Sequence, residues 1–313
     1  MKILSWNCRG LGNPWAIRAL NKLIKQKAPN LVFLMETRKK SEEIMRLRYK
    51  GEMQNVVGVD YNGDGRQRGG GLAVLWNREI DVNITSMSKN HIDMVIQARG
   101  SNHKWRATEF YGWPENQNKQ ASWELLRSLG QASAMPWVVF GDFNQVLNQH
   151  EKLGGNPITY AQAGSNNIQE RLDRAMANLG WKETFPETTI QHLTRYKSDH
   201  CPILLDLYGD SKRRKKSQHR FRFEEMWLTN EDCDRIVEEA WNERIGTVKE
   251  KINLCGERLD SWGRRTFGDI PKRIKKAEKA LEQLNSLPQN EETLRRTRME
   301  EEELDDLIRM EEI

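Results

Sequence analysis

The 313-residue sequence lacks the features that mark secreted, membrane and zinc-binding proteins. Its four cysteines are isolated, with no CxxC pair of the kind that structural zinc sites use. No apolar run approaches the roughly 18 residues that a membrane helix requires. The N-terminus opens directly into a strand pattern, Lys2–Trp6, rather than into a signal peptide. The sequence therefore predicts a nuclear or cytoplasmic protein with reduced cysteines, neither secreted nor in contact with a membrane.

Acidic and basic residues are distributed unevenly along the chain. Residues 209–313 hold 23 Lys/Arg and 25 Asp/Glu, and the remaining 27 basic and 20 acidic residues give residues 1–208 a net charge of +7. This positive balance lies in the part of the chain with strand-like segments and suits a polyanionic partner. The excess is mild, and many basic domains never bind nucleic acid.

Residues 1–208 alternate between short apolar segments and amphipathic helices. Leu31–Met35 and Trp137–Phe140 are uninterrupted apolar runs, typical of strands covered on both faces. A helix is predicted before Leu31, because Asn13 is a good N-cap, Pro14 suits the first turn, and an apolar stripe follows at Ile17, Leu20, Leu23 and Ile24. An antiparallel series of strands is predicted at Leu72–Trp76, Ile80–Ile84, Met94–Ala98 and Trp105–Tyr111, and a helix at about Lys119–Leu129.

This order of elements predicts an α/β (α+β) domain at residues 1–208, with two packed mixed β-sheets flanked by helices. A basic break at 209–218 predicts a linker. Beyond it the strand signal disappears, and residues 219–313 are predicted to be a helical hairpin or coiled coil, with self-association as one outcome. The apolar seam that favours this prediction comprises Ile270, Ile274, Ala277, Leu281 and Leu284, followed after Pro288 by Leu304, Leu307 and Met310.

Polar side chains follow the predicted strands in an order that suits metal-assisted phosphodiester hydrolysis. Such hydrolysis needs carboxylates that hold a hard cation, a carboxylate that positions water, and donors, a histidine among them, for the phosphoryl oxygens. Each role has a candidate at a strand end or in the loop after it: Asn7, Glu36, Tyr111, Asp142 with Asn144, Asp173, and Ser198–Asp199–His200. Singly these are weak signals, but six in order are hard to attribute to chance.

The motifs SWNCRGLG, LMETR, FYGWPE, GDFN, RLDRAMAN and SDHCPI together resemble the endonuclease domain of plant non-LTR (LINE-type) retrotransposons. That domain belongs to the superfamily of exonucleases, endonucleases and phosphatases that includes apurinic-site endonucleases and pancreatic-type DNases. The resemblance covers about residues 1–208, and FRFEEMWL at 221–228 is similar to the helical segment before the reverse transcriptase of such elements. It implies a DNase I-like four-layer sandwich and a DNA-nicking endonuclease that uses Mg²⁺, with Mn²⁺ as the alternative ion.

The resemblance also implies catalytic roles, residue by residue. Asp142 matches the carboxylate that orients and activates the water, and Asn144 matches the amide that steadies the water and the phosphate. Tyr111 matches the tyrosine whose hydroxyl approaches the phosphate. His200 matches the imidazole that donates to the phosphoryl oxygen, and Asp173 matches the carboxylate that orients this imidazole.

Metal and DNA contacts follow from the same resemblance. Glu36 matches the principal metal ligand, and Asn7 matches a residue nearby that helps to place the metal and the phosphate. Asp199 matches a carboxylate that contacts either the metal or one of its ligands. Ser198 is a candidate phosphate contact. Trp113, in the loop after Tyr111, is the aromatic side chain that we would test for DNA contact.

Two features depart from the family pattern. Arg9 stands where many repair-type members have an aspartate, so the metal is expected to have one carboxylate fewer. Arg9 is instead a candidate contact for a DNA phosphate. Only 31 positions separate Asp142 from Asp173, an interval in which the family has a helix and an aromatic strand. A deletion is therefore predicted near residue 160, with RLDR at 171–174 beginning a helix directly after it. Because a lost core strand leaves ladder groups unpaired, the domain is predicted to be destabilised.

Two other functions stay open. One is phosphatase or lipid phosphodiesterase activity on the same fold, although the chain supplies no lipid-binding stretch. The other is a degenerate, catalytically inactive retroelement remnant that binds nucleic acid weakly. The inferred deletion and the missing reverse transcriptase favour this second alternative.

Overall fold

The computed structural model describes residues 1–46, 52–63, 69–146, 160–162, 168–209, 223, 227–228, 230–243, 246–268, 270–287 and 290–312. The chain divides into two compact units, Met1–Lys212 and Arg213–Ile313. The predicted linker falls almost entirely outside the described residues. No helix in the described part of the chain combines the length and the apolar composition that crossing a membrane requires.

In chain order, the elements of the first unit are β1 (Lys2–Asn7), α1 (Pro14–Lys27), β2 (Leu31–Met35), α2 (Ser41–Met45), β3 (Asn55–Asn62), β4 (Gly69–Trp76), β5 (Ile80–Ser88), β6 (His91–Ala98), β7 (Lys104–Tyr111), α3 (Lys119–Gln131), β8 (Trp137–Asp142), β9 (Tyr160–Gln162), β10 (Ile168–Glu170), β11 (Asp173–Ala177), α4 (Leu179–Thr184), β12 (Thr189–His192) and β13 (Ile203–Asp206). They form a six-stranded sheet, β12-β13-β1-β2-β4-β3, a five-stranded sheet, β11-β8-β7-β6-β5, and the hairpin β10-β9. The parallel pairs of these sheets are β1 with β2 and β7 with β8.

An apolar core lies between the two large sheets. Phe33 of the first sheet and Phe140 of the second have ring centroids 4.6 Å apart. All five residues of β2 are buried, as its uninterrupted apolar run predicts. On the opposite face of the second sheet, Leu125 and Leu126 of α3 pack against a cluster that contains Val139. Two mixed sheets flanked by helices, the predicted DNase I-like architecture, are confirmed.

Helix α1 begins where the sequence predicts. The side chain of Asn13 accepts a hydrogen bond of 3.0 Å from the backbone N–H two residues on, which satisfies one of the orphan donors of the first turn. Of the predicted stripe, Leu20 and Ile24 are buried, whereas Ile17 and Leu23 are half-buried. Ala16, Ala19 and Lys22 are also buried, so the buried face of the helix is wider than the stripe and is centred to one side of it.

The predicted antiparallel series is correct for β5, β6 and β7. Leu72–Trp76 is a strand, as predicted, but it does not pair within that series. That segment belongs to β4, which pairs with β2 and β3 in the first sheet. The chain changes sheets between Trp76 and Ile80. Apolar periodicity does not reveal such a change, because strands of both sheets bury their side chains in the same core.

The prediction that RLDR begins a helix is also wrong. Asp173–Ala177 is strand β11, which pairs antiparallel with β8 at five positions. Its side chains alternate between faces, since Ala175 joins the core between the sheets and Met176 joins the cluster under α3. This pairing overrides the helix propensity of Arg, Ala and Met. β8 is therefore hydrogen-bonded on both sides; residues 147–159 and 163–167, around the predicted deletion, lie outside the described residues.

The second unit is helical, as predicted. Its helices are α5 (Asp232–Asn242), α6 (Val248–Thr266), α7 (Ile270–Ser286) and α8 (Glu291–Glu312). Arg273, in the first turn of α7, lies 3.6 Å from Glu303, in the second half of α8, so these two helices run antiparallel. The five apolar residues of the α7 seam are buried, as are Leu304 and Leu307, whereas Met310 is exposed. Self-association through these helices stays a prediction.

Candidate active site

Strand pairing brings the predicted site residues to neighbouring strand ends. In the first sheet, Asn7 is the last residue of β1 and pairs with the last residue of β2, after which Glu36 follows directly. In the second sheet, Tyr111 ends β7 beside Asp142 at the end of β8. Asp173, the first residue of β11, lies opposite Asp142. Parallel pairing in each sheet therefore places polar side chains at one edge, the common location of sites in α/β proteins.

The side chain of Asn7 joins the groups from the two sheets. Its amide Nδ2 donates to Glu36 Oε1 at 3.2 Å and to Asp142 Oδ2 at 2.9 Å, and lies 3.5 Å from His200 Nε2. The hydroxyl of Tyr111 donates to the same Glu36 oxygen at 3.1 Å. Asn7 and Asp142 are fully buried. Buried polar groups of this kind hold one another in fixed positions, because any other arrangement leaves one of them without a partner.

His200 is oriented by a buried carboxylate. Its Nδ1 lies 2.8 Å from Asp173 Oδ2, so Nε2 faces the cluster, 3.9 Å from Asp199 Oδ1. Burial alone would lower the pKa of His200, but Asp173 and Asp142 outweigh burial and raise the pKa to about 9. Burial raises the pKa of Asp142 to about 6, against the opposing charge of His200. Between these values an imidazolium faces a carboxylate, so the two groups divide acid and base roles.

The backbone around Asp142 requires its GDFN neighbours. A Cβ on Gly141, whose φ is 140°, would lie 2.1 Å from the carbonyl oxygen of Phe110, so no larger residue fits. Asn144 adopts φ 51°, a left-handed conformation that asparagine tolerates. Its backbone N–H donates to Asp142 Oδ1 at 2.8 Å, and its side-chain amide donates to Gly112 at 2.8 Å. The motif thus fixes Oδ1 of Asp142 and leaves Oδ2 to accept the hydrogen bond from Asn7.

Two arginines pair with the carboxylate of Glu36. Arg9 Nη1 lies 3.4 Å from Oε1, and Arg38 Nη2 lies 3.2 Å from Oε2. Arg9 also reaches Asp199, with 2.9 Å between Nη2 and Oδ2. Burial raises the pKa of Glu36, but Arg9 and the hydrogen bond from Asn7 more than offset this, so the pKa lies below its ordinary value. Glu36 is therefore charged at neutral pH.

The sequence also matches the model of a known protein family. The model described as endonuclease/exonuclease/phosphatase family matches residues 4–200, more than half of the chain. The chain belongs to this family. The family's members are hydrolases that act on phosphodiester bonds. The match begins in β1 and ends at His200, so it spans every strand end that contributes to the cluster.

Several solved structures have a similar fold. The 3′ phosphatase NExo from Neisseria, bound to product DNA hairpin, is 12% identical, with 66% of this chain and 98% of that chain covered and a TM-score of 0.47. The endonuclease domain of TRAS1, a telomere-specific non-LTR retrotransposon, is 12% identical, with 66% and 97% covered and a TM-score of 0.48. An AP endonuclease from Archaeoglobus fulgidus is also 12% identical, with 66% and 98% covered and a TM-score of 0.48. No curated protein matches the chain.

The donor atoms of the cluster suit a hard divalent cation. Asp142, Asp173 and His200 offer ligand atoms within 4.8 Å of one another, which is compatible with a divalent metal. The motif resemblance instead points to the oxygens of Glu36 and Asp199 as ligands. Both carboxylates border the cluster, since Glu36 Oε1 accepts from Asn7 and Asp199 Oδ1 lies 3.9 Å from His200 Nε2. Asp199 Oδ1 is buried and has no hydrogen-bond partner in the described part of the chain, an orphaned oxygen that a cation would satisfy.

Not every predicted site residue joins the cluster. Ser198 donates to the backbone oxygen of Asn7 at 2.7 Å and accepts from the His200 N–H at 3.1 Å, so its hydroxyl fixes the loop. Trp113 is half-buried after β7 and makes no side-chain hydrogen bond or ring contact among the residues that the structure describes. Arg38 was not predicted, although a cation two residues after Glu36, within LMETR, was a signal for it.

Proposed function

We propose that the chain is a Mg²⁺-dependent phosphodiesterase that nicks DNA, the endonuclease of a protein derived from a plant LINE-type retrotransposon. The observation that carries this proposal is the amide of Asn7, which donates to both Glu36 and Asp142 and lies 3.5 Å from His200 Nε2 in one buried cluster. A metal ligand, a base for water and a donor for the phosphate thus lie within reach of one phosphodiester. Residues 1–208 would carry the activity.

The side chains divide the work in the following way. Asp142, with a pKa of about 6, is largely charged at pH 7 and above and takes a proton from the attacking water. His200, with a pKa of about 9, carries a proton on Nε2 and donates to a phosphoryl oxygen as negative charge develops. Burial raises the pKa of Tyr111 well above its ordinary value, so its hydroxyl stays a donor. A divalent cation held by Glu36 and Asp199 would neutralise charge on the phosphate.

A DNA substrate is supported by charge and by the motifs. The net charge of +7 on residues 1–208 attracts a polyanion. The side chains of Arg9 and Arg38 are 41% and 40% exposed, so cationic groups border the buried carboxylates on the solvent side. The motifs resemble a retroelement endonuclease, and the sequence supplies no lipid-binding stretch. These features favour DNA over a phosphate monoester or a lipid.

Metal removal tests the proposal directly. With supercoiled plasmid and MgCl₂, the full chain is expected to produce nicked circles, and EDTA in excess is expected to stop the reaction because the phosphate then loses its charge neutralisation. Adding Mg²⁺ back restores nicking, which excludes denaturation by the chelator. Parallel reactions with an inositol phosphate measure the phosphatase alternative. Absence of Mg²⁺-dependent nicking in a folded protein would favour the inactive remnant.

Replacing Asp173 by asparagine is expected to shift the pH dependence of nicking. Without this carboxylate the pKa of His200 falls from about 9 toward its ordinary 6.5, so the imidazole loses its positive charge at a lower pH. The nicking rate of the variant should therefore fall above neutral pH, by about tenfold per unit, where the wild-type rate is still level.

The control for this experiment is Asp81→Asn, which removes a carboxylate 65% exposed on β5 and should leave the profile unchanged. Rates at pH 6.5 and 8.5 are compared for the three proteins. An equal fractional loss at both pH values would mean that Asp173 holds the structure without controlling the charge of His200.

A further inference from the structure

Arg9 occupies an unusual position between two carboxylates of the candidate site. Its guanidinium contacts Glu36 at 3.4 Å and Asp199 at 2.9 Å, and these carboxylates follow β2 and precede β13 respectively. The backbone N–H of Arg9 donates to Asn7 Oδ1 at 3.2 Å. One cationic side chain therefore joins the two carboxylates that would hold a divalent cation.

The backbone holds Arg9 in this place. Arg9, Glu36 and Arg38 all adopt left-handed conformations, with φ of 50°, 51° and 50°. Such conformations are unfavourable for residues with these side chains and persist only where the surrounding structure imposes them. The loops after β1 and β2 are hydrogen-bonded to each other, from Cys8 N–H to the Met35 oxygen and from Leu11 N–H to the Thr37 oxygen, both 3.0 Å. The loop that carries Arg9 is thus fixed against the loop that carries Glu36.

The charge of Arg9 opposes the binding of a cation to Glu36 and Asp199. A guanidinium is permanently charged and has the planar fork that matches carboxylate oxygens. A divalent cation that binds the same oxygens meets this charge within a few ångströms, and the repulsion is substantial because Glu36 is only 8% exposed. Binding of the cation therefore requires that Arg9 leave the carboxylates. A phosphodiester offers the departing guanidinium an anionic acceptor.

We propose that Arg9 is a tethered cation that competes with the divalent metal for Glu36 and Asp199, so that a DNA phosphate raises the metal affinity of the site by drawing Arg9 away. This inference rests on the proposed function, because it takes these carboxylates as the metal ligands. Binding of metal and of DNA is then positively coupled, and the coupling is reciprocal. Loss of the Arg9 charge relieves the competition and reduces the coupling to the direct attraction between metal and phosphate.

Mn²⁺ titrations followed by electron paramagnetic resonance test this inference on the full chain. The test variant is Arg9→Asn, since asparagine tolerates the left-handed backbone and removes the charge. We expect it to lower the Kd for Mn²⁺ by about tenfold or more, a change of about 1.4 kcal/mol per factor of ten. Arg38→Asn, which has the same φ and exposure but contacts Glu36 alone, is expected to lower the Kd by a smaller factor.

The control is Arg78→Asn, at the opposite end of the strands of the first sheet, because β4 runs antiparallel to β2 and Arg78 lies two residues after the end of β4. It should not change the Kd. A short phosphorothioate DNA duplex is expected to lower the Kd of wild type by a larger factor than that of Arg9→Asn. Without metal, Arg9→Asn should melt at a lower temperature than wild type, because two carboxylates lose a counter-charge, and saturating Mn²⁺ should remove this difference.

An unchanged or higher Kd in Arg9→Asn overturns the inference, as does equal tightening in Arg78→Asn. The inference is also overturned if neither wild type nor Arg9→Asn binds Mn²⁺, because Arg9 is then not the group that prevents metal binding. Failure of the proposed function is seen separately, as absence of plasmid nicking. A protein in which Arg9→Asn tightens Mn²⁺ binding but no variant nicks DNA supports the competition and rejects the endonuclease.

Discussion

Asp142→Asn is expected to lower the rate constant for plasmid nicking by about 10³-fold, within the range of two to four orders of magnitude that a positioned base contributes. An amide has the shape of the carboxylate and still accepts the hydrogen bond from the Asn144 N–H, but it cannot take a proton from water. Asp142 is 0% exposed, so the neutral amide avoids the cost of a buried charge, but its NH2 group faces the NH2 group of Asn7. Because these two effects oppose each other, the protein should stay folded at the assay temperature, with at most a modest decrease of its melting temperature. The measurement is a single-turnover nicking rate with Mg²⁺.

The combination of lost activity and retained stability distinguishes this effect from unfolding. Asp81→Asn serves as the matched control, because it makes the same chemical change at an exposed position of the same sheet. It should nick at the wild-type rate. Retention of more than about a tenth of the wild-type rate by Asp142→Asn would remove Asp142 from the reaction and leave His200 to be assigned another partner.

The positions of the candidate site residues were predictable where a polar residue ends an apolar run. Glu36 follows the five apolar residues of β2, and Asp142 ends the buried strand β8, so local pattern and strand pairing agree. The pairing that brings Asn7 to Asp142 joins residues 135 positions apart. It depends on how the two sheets pack, which no local pattern contains.

Other elements were not predictable for physical reasons. β11 has the composition of a helix and is a strand because the open edge of β8 pairs with it. β3 carries Gly58 and Asp60 within a partly exposed edge strand, so its apolar signal is weak. The contacts of Arg9 depend on its left-handed backbone conformation. This conformation could not be predicted from the sequence, because arginine rarely adopts it. Prediction from sequence thus succeeded for continuous burial and failed for edge strands and special backbone conformations.

One residue inside a correctly predicted strand was missed. Glu109 lies in β7 on the face that also carries Trp105 and Ala107, directed into the core between the sheets. It is 0% exposed, and neither carboxylate oxygen has a hydrogen-bond partner in the described part of the chain. The sequence did contain a signal for this buried carboxylate. Side chains alternate between the two faces along Trp105–Tyr111, and this alternation places Glu109 on the apolar face.

Glu109→Leu is expected to stabilise the first unit, and to stabilise it more at pH 8 than at pH 5. Burial raises the pKa of Glu109 well above its ordinary 4.5, so between these two values the folded protein binds more protons than the unfolded protein. The free energy of unfolding of wild type therefore decreases as pH rises above about 4.5. Leucine removes this dependence and an unsatisfied polar group, a gain of about 2 kcal/mol or more at pH 8.

Urea unfolding followed by tryptophan fluorescence at both pH values measures the effect on the full chain. Glu109→Gln separates charge from polarity, since it should remove the pH dependence while retaining unsatisfied polar atoms. Glu183→Gln, at an exposed position on α4, is the matched control and should change neither quantity. If the Glu109→Gln protein keeps the wild-type slope of stability against pH, Glu109 has a partner in solution and the argument fails.

The same measurement tests the predicted deletion near residue 160. The loss of a segment there would remove packing and hydrogen bonds at a cost that does not depend on ionisation, so it would lower the free energy of unfolding equally at pH 5 and pH 8. An unpaired buried carboxylate lowers it mainly at the higher pH. A gain from Glu109→Leu that is larger at pH 8 than at pH 5 would assign the pH-dependent part of the free energy of unfolding to the core beside β7. A low free energy of unfolding that Glu109→Leu retains at pH 5 would support the predicted deletion.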